Sequence, residues 1–89
     1  MNELAEKTSL QEALTQQVQR YLTEMKNEDI TNLYDMVMEQ VEESLFQATM
    51  EHCKYNQSRA AVVLGLSRGT LRTKLKKYFG DKFCGSREE

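Results

Sequence analysis

The sequence has no proline and no tryptophan, and its only glycines are Gly65, Gly69, Gly80 and Gly85. The first 64 of its 89 residues therefore carry neither strong helix breaker, and long helices follow. Histidine is nearly missing too. The single His52 adjoins Cys53, but neighbouring helical residues point about 100° apart and chelate poorly without further ligands. A Cys–His nucleophile would also need an orienting group and a pocket. No catalytic residue, metal site or cofactor is expected. Cys53 and Cys84 lack CxxC spacing and a secretory context, and read as reduced cytosolic thiols. No apolar run approaches the roughly 18 residues that span a bilayer, and Met1–Ser9 lacks the basic start and apolar middle of a signal peptide. A soluble, intracellular protein without a membrane partner is the expectation. A domain of this size buries only about 60–65% of its unfolded surface, so pairing with a second chain is the expected staple.

Acid is also lacking, in one place. None lies between His52 and Gly80. Residues 1–52 hold three bases and eleven acids, net −8, whereas residues 53–89 hold nine bases and three acids, net +6. The overall −2 conceals this. Such a division points to one half that meets a polyanion and another that does something else.

Ser9-Leu10-Gln11-Glu12 fits a capping box, after which Leu10, Leu14, Val18, Tyr21, Leu22 and Met25 form one helical stripe. Lys26–Asp29 is the polar connection to a second helix, capped by Asp29 or Thr31, with Asp35 in its first turn where the helix dipole favours an acid. That helix is expected from about Thr31 to Cys53. Its apolar positions are Ile30, Leu33, Tyr34, Met36, Val37, Met38, Val41, Leu45, Phe46, Ala48, Met50 and Cys53, a stripe too wide for one neighbouring helix. The economical answer is a symmetric homodimer with an intertwined core of four long helices.

Tyr55-Asn56-Gln57 breaks the long helix, and Asn56 is placed to cap a short one reaching about Leu64. Gly65 supplies the left-handed residue that ends it, and Ser67 can cap a last helix from Arg68 to about Tyr78. The spacing Ala61, Gly65, Leu71 is that of a helix-turn-helix: close approach, turn, and anchor. On the last helix Leu71, Leu75 and Tyr78 face inward. Arg68, Arg72 and Lys76 line one flank, Thr70, Lys74 and Lys77 the other, with Gly69 and Thr73 between. Guanidinium groups near such a helix's start suit guanine edges in a major groove, and lysines further along suit phosphates. Asn56, Gln57, Ser58 and Arg59 present the other helix's start to the backbone.

The runs Asn56–Ala61, Leu64–Arg72 and Lys74–Tyr78, with Leu33-Tyr34 and Val37, Glu39, Val41 and Glu42 before them, resemble the Fis family over about residues 10–78. The resemblance implies an all-α homodimer that binds and bends double-stranded DNA, a nucleoid-associated, cytoplasmic regulator of transcription with relaxed specificity, read partly from minor-groove shape. It implies Arg68 as guanine reader, with Asn56, Ser58, Arg59, Thr70, Arg72, Lys74, Lys76 and Lys77 at the backbone or flanking bases. The chain departs from the family at Ser67, usually asparagine, and at Thr73, usually basic. The family can also carry a β-hairpin arm that touches DNA invertases, whereas residues 1–9 are expected to be a short flexible arm, so no stimulation of inversion is expected.

The organisation expected is thus an arm (1–9), a helical dimerisation region (10–53), a DNA-binding helix-turn-helix (54–78) and a tail without assigned role (79–89). Glu39, Glu42 and Glu43 form a solvated acidic face that can meet a partner such as RNA polymerase. The rival function is a helical dimerisation module for protein interaction, related to the C-terminal end of enhancer-binding activators.

Overall fold

The computed structural model describes residues 3–25 and 30–83, with side chains from Ser9 onward. Four helices follow one another: α1 (Glu3–Glu24), α2 (Leu33–His52), α3 (Gln57–Leu64) and α4 (Arg68–Phe79). The described residues contain no strand, and the fold is all-α with a C-terminal helix-turn-helix. None of the described helices is long and apolar enough to cross a membrane. Two compact units divide the chain, Met1–Val37 and Met38–Glu89, with the boundary inside α2.

In the first unit α1 starts at Glu3, well before the capping box at Ser9. Glu, Leu, Ala and Lys upstream of Ser9 are all strong helix formers, so the serine is absorbed into the helix rather than starting it. The stripe on α1 is not closed over. Leu10, Leu14 and Leu22 are exposed, and Val18, Tyr21 and Met25 only half-buried. Lys26–Asp29, the expected connection, lies outside the described residues. Neither expected cap immediately precedes α2. Asn32 does, in the left-handed region at φ 59°, and its carbonyl accepts the N–H of Met36 at 3.1 Å. Asparagine tolerates that conformation better than threonine.

The second unit has a closed core. Phe46 and Met50 of α2, Cys53 after it, Ala60 and Ala61 of α3, Leu71 and Leu75 of α4, and Phe83 beyond α4 are all buried. Met50, Ala60 and Leu71 have no exposure at all. The paired alanines let α3 and α4 approach closely. Each large buried side chain contributes about 1.5–3 kcal/mol relative to exposure. Cys53 is a free thiol among these apolar groups.

The break between α2 and α3 comes slightly earlier than Tyr55–Gln57. Lys54 and Tyr55 both adopt left-handed backbone, at φ 57° and 67°. Tyr55 N–H reaches back to Met50 O at 2.7 Å, and Asn56 N–H to Cys53 O at 3.1 Å, which holds the reversal. Such a conformation costs about 1–2 kcal/mol per non-glycine residue, so the turn depends on the packing around it.

Part of the tail belongs to the core. Phe79 ends α4, Gly80 turns the chain at φ 61°, and Phe83 packs back, only 6% exposed. Its ring meets Phe79 edge-on at 4.9 Å and stacks on Tyr55 at 5.8 Å. Gln57 Nε2 donates to Phe83 O at 2.8 Å, so one end of α3 is tied to the residues after α4. Residues 84–89, including Cys84, lie outside the described residues.

Candidate nucleic-acid interface

Local capping builds the two helices that carry the basic residues. Asn56 Oδ1 accepts Arg59 N–H at 3.0 Å and starts α3. Gly65 ends it at φ 76°, its N–H shared between Ala61 O and Val62 O, while Leu66 N–H also bonds Ala61 O at 3.0 Å. These bonds satisfy carbonyls that a helix end otherwise leaves open, and glycine adopts the required angle without a Cβ penalty. Ser67 Oγ then accepts Thr70 N–H at 3.1 Å and bonds the Thr70 hydroxyl at 3.0 Å. The start of α4 is thereby fixed.

On that frame the expected residues fall into two groups. Arg68, Arg72 and Lys76 follow one another at four-residue spacing, all exposed, with no ion-pair partner among the described residues; Thr70 and Thr73 are exposed beside them. Ser58 and Arg59 are exposed at the start of α3. The other residues are already engaged. Asn56 and Ser67 serve as caps, and Gln57 is half-buried against Phe83 O. Lys74 Nζ sits 3.2 Å from Glu42 Oε1 and 3.4 Å from Oε2, half-buried with its partner. Lys77 lies 3.9 Å from Glu39 on the same side, with both side chains more than half exposed.

The Glu42 carboxylate gathers a third group. Tyr78 Oη donates to Glu42 Oε1. That hydrogen bond holds the Glu42 carboxyl below its ordinary value of 4.5, with burial opposing and Lys74 adding to the lowering. The same bond pushes the Tyr78 phenol up to about 12, helped by burial. The expected solvated acidic face is corrected at Glu42, which is half-buried against Lys74 and Tyr78; Glu39 and Glu43 are exposed as expected, Glu39 in a loose pair with Lys77 and Glu43 without an ion pair among the described residues.

Tyr78 faces inward as its helical spacing implies, but its hydroxyl finds an acid that spacing does not reveal. Phe79 and Phe83, assigned no role by periodicity, join the core, and the i, i+4 aromatic pair astride Gly80 is the signal in the sequence that marks them. The described residues contain no cluster of metal-ligating side chains.

Residues 37–78 match the family described as bacterial regulatory protein, Fis family. Over 69 residues the chain is 42% identical to the DNA-binding protein Fis of Tolumonas auensis, covering 78% of this chain and 70% of that protein. It is 40% identical over 79 residues to the DNA-binding protein Fis of Aeromonas hydrophila, covering 86% and 81%. The corresponding protein of Glaesserella parasuis is 45% identical over 69 residues, covering 78% and 70%. The caps, the glycine turn and the basic row of α4 all fall inside the matched residues, and the chain belongs to the Fis family of bacterial regulatory proteins.

Proposed function

We propose that this chain binds double-stranded DNA as a homodimer and bends it, acting as a nucleoid-associated regulator of transcription in the cytoplasm. The reading is one of binding and regulation rather than catalysis, in keeping with relatives named DNA-binding protein Fis and a family described as bacterial regulatory protein. The observation that carries it is the row Arg68, Arg72 and Lys76, exposed and free of ion pairs among the described residues, on a helix whose other face is anchored by Leu71 and Leu75. A helix held in this way can enter a major groove without losing its own packing. Arg68, nearest the start, is the base reader; Arg72, Lys76, Ser58, Arg59, Thr70 and Thr73 meet phosphates or flanking bases.

Residues 54–78 are the DNA-binding region and residues 10–53 the dimerisation region. Support for pairing comes from α1 and the part of α2 that precedes Phe46, where Leu10, Tyr34, Met38 and Leu45 are exposed at 62%, 75%, 36% and 48%. Apolar side chains repeated at helical spacing and left in water are what a second chain covers. The paired recognition helices then favour curved DNA, and relaxed specificity follows from reading shape. A contact with RNA polymerase has less acid to draw on than the three-glutamate face suggested, with Glu43 as its remaining free member.

Gel-shift titrations across salt on an A/T-rich curved duplex and a random duplex test the reading, with a permuted-site bend assay. A dimer that touches about 8–10 phosphates loses about 10³-fold in affinity between roughly 50 and 200 mM salt. On duplexes that differ in half-site sequence, Arg68→Ala erases the preference among them, and Lys76→Ala weakens all alike. Binding that ignores salt would instead favour the protein-interaction module.

A further inference from the structure

The cations of α4 are not equivalent. Arg68, Arg72 and Lys76 have no acidic partner among the described residues, whereas Lys74 and Lys77, three residues apart, meet Glu42 and Glu39, also three residues apart on α2. The two rungs differ. Lys77 and Glu39 are 3.9 Å apart with side chains 52% and 55% exposed, a loose surface pair. Lys74 and Glu42 approach to 3.2 Å with 34% and 27% exposure, and the carboxylate also takes the Tyr78 hydroxyl. A lysine that left this site for a phosphate would strip Glu42 of its counter-charge next to a polyanion.

We infer that Glu42 is a specificity-setting residue: it holds Lys74 as an internal counter-charge and keeps it out of the set that neutralises DNA phosphates. The inference rests on the DNA-binding reading above. Non-specific affinity grows with every phosphate neutralised, while base discrimination does not, so a cation withheld from the backbone lowers binding to bulk DNA and leaves Arg68 to discriminate. Tyr78 is a positioning residue here, since its hydroxyl fixes the carboxylate that holds Lys74.

The test measures the slope of log affinity against log salt for the full chain on a random-sequence duplex, with thermal melts to verify folding. Lys74→Gln leaves the slope at its wild-type value. Glu42→Gln keeps an oxygen for Tyr78 and removes the charge, and steepens the slope by about 0.9 per protomer as freed Lys74 takes a phosphate. Glu42→Gln with Lys74→Gln returns it to wild type, which separates the lysine from the general effect of deleting an acid. Glu39→Gln changes the slope less than Glu42→Gln, its pair being loose. A slope flattened by about 0.9 in Lys74→Gln overturns the inference, because Lys74 then already contacts DNA. An unchanged slope in Glu42→Gln overturns it too. Should Glu42→Gln fail to fold, Lys74→Gln alone still decides. A wild-type chain without salt-dependent binding would defeat the DNA reading itself.

Discussion

Both units of this chain are helical and both carry an apolar face, yet only the second closes that face by itself. Between Phe46 and Phe83, side chains of three helices and a turned-back tail close around one core, with Phe46, Met50, Leu71, Leu75 and Phe83 buried and Leu64, Leu66, Tyr78 and Phe79 packed against them. From Ser9 to Met25 not one described side chain is buried, and the first half of α2 buries none either. Amphipathic helices are thus not equal evidence of a core. A short helix pair closes its face when the end of α2 and the residues after α4 pack onto it, whereas a long stripe without such neighbours needs a partner.

The largest expected effect strikes the closed region. Leu71→Ala, at a site with no exposure, costs about 2–5 kcal/mol and lowers the urea midpoint equally at all protein concentrations. Leu10→Glu, at a site 62% exposed in the first unit, instead destabilises through pairing: sedimentation shows more monomer, and the melting temperature loses its dependence on concentration. Equal behaviour of the two variants would erase the contrast between the regions.

Next comes Phe83→Ala, expected to cost about 3 kcal/mol by opening the core beside Phe79 and Tyr55, read by chemical denaturation. A negligible loss would return residues 79–83 to the status of a tail. Smaller still is Gly65→Ala. A Cβ there meets nothing within 4 Å, so the cost of about 1–2 kcal/mol comes from the backbone at φ 76° alone. Calorimetry of the variant measures it directly.

The smallest effects follow pH. Glu42 is held below its ordinary value, so its contribution is present above about pH 4.5 and is lost as pH falls through the lowered value. Tyr78 is raised to about 12, so its contribution is complete below about pH 10 and is lost as pH rises from 10 toward 12. Denaturation midpoints across pH should show the alkaline loss in the native chain and a smaller one in Tyr78→Phe.

Legibility tracked the range of each interaction. Asn56, Gly65 and Ser67 were readable as caps and turn because each acts on backbone within a few residues. The inward set Leu71 and Leu75 and the exposed row Arg68, Arg72 and Lys76 followed from helical spacing in the same way. The start of α1 was misplaced because a local capping pattern competes with strong helix formers on both sides. Lys74 was grouped with the exposed cations because nothing near residue 74 announces an acid 32 positions earlier. Gln57 was offered to DNA for the same reason, its partner being Phe83 O, 26 positions later.

By itself, then, the sequence determined the helical character, the helix-turn-helix and the charge division, since periodicity, capping and composition operate over a turn or two. Which cations remain free, and that the chain after α4 completes the core, only the tertiary structure decided. Those outcomes depend on side chains meeting across dozens of residues, and pattern alone does not bring them together.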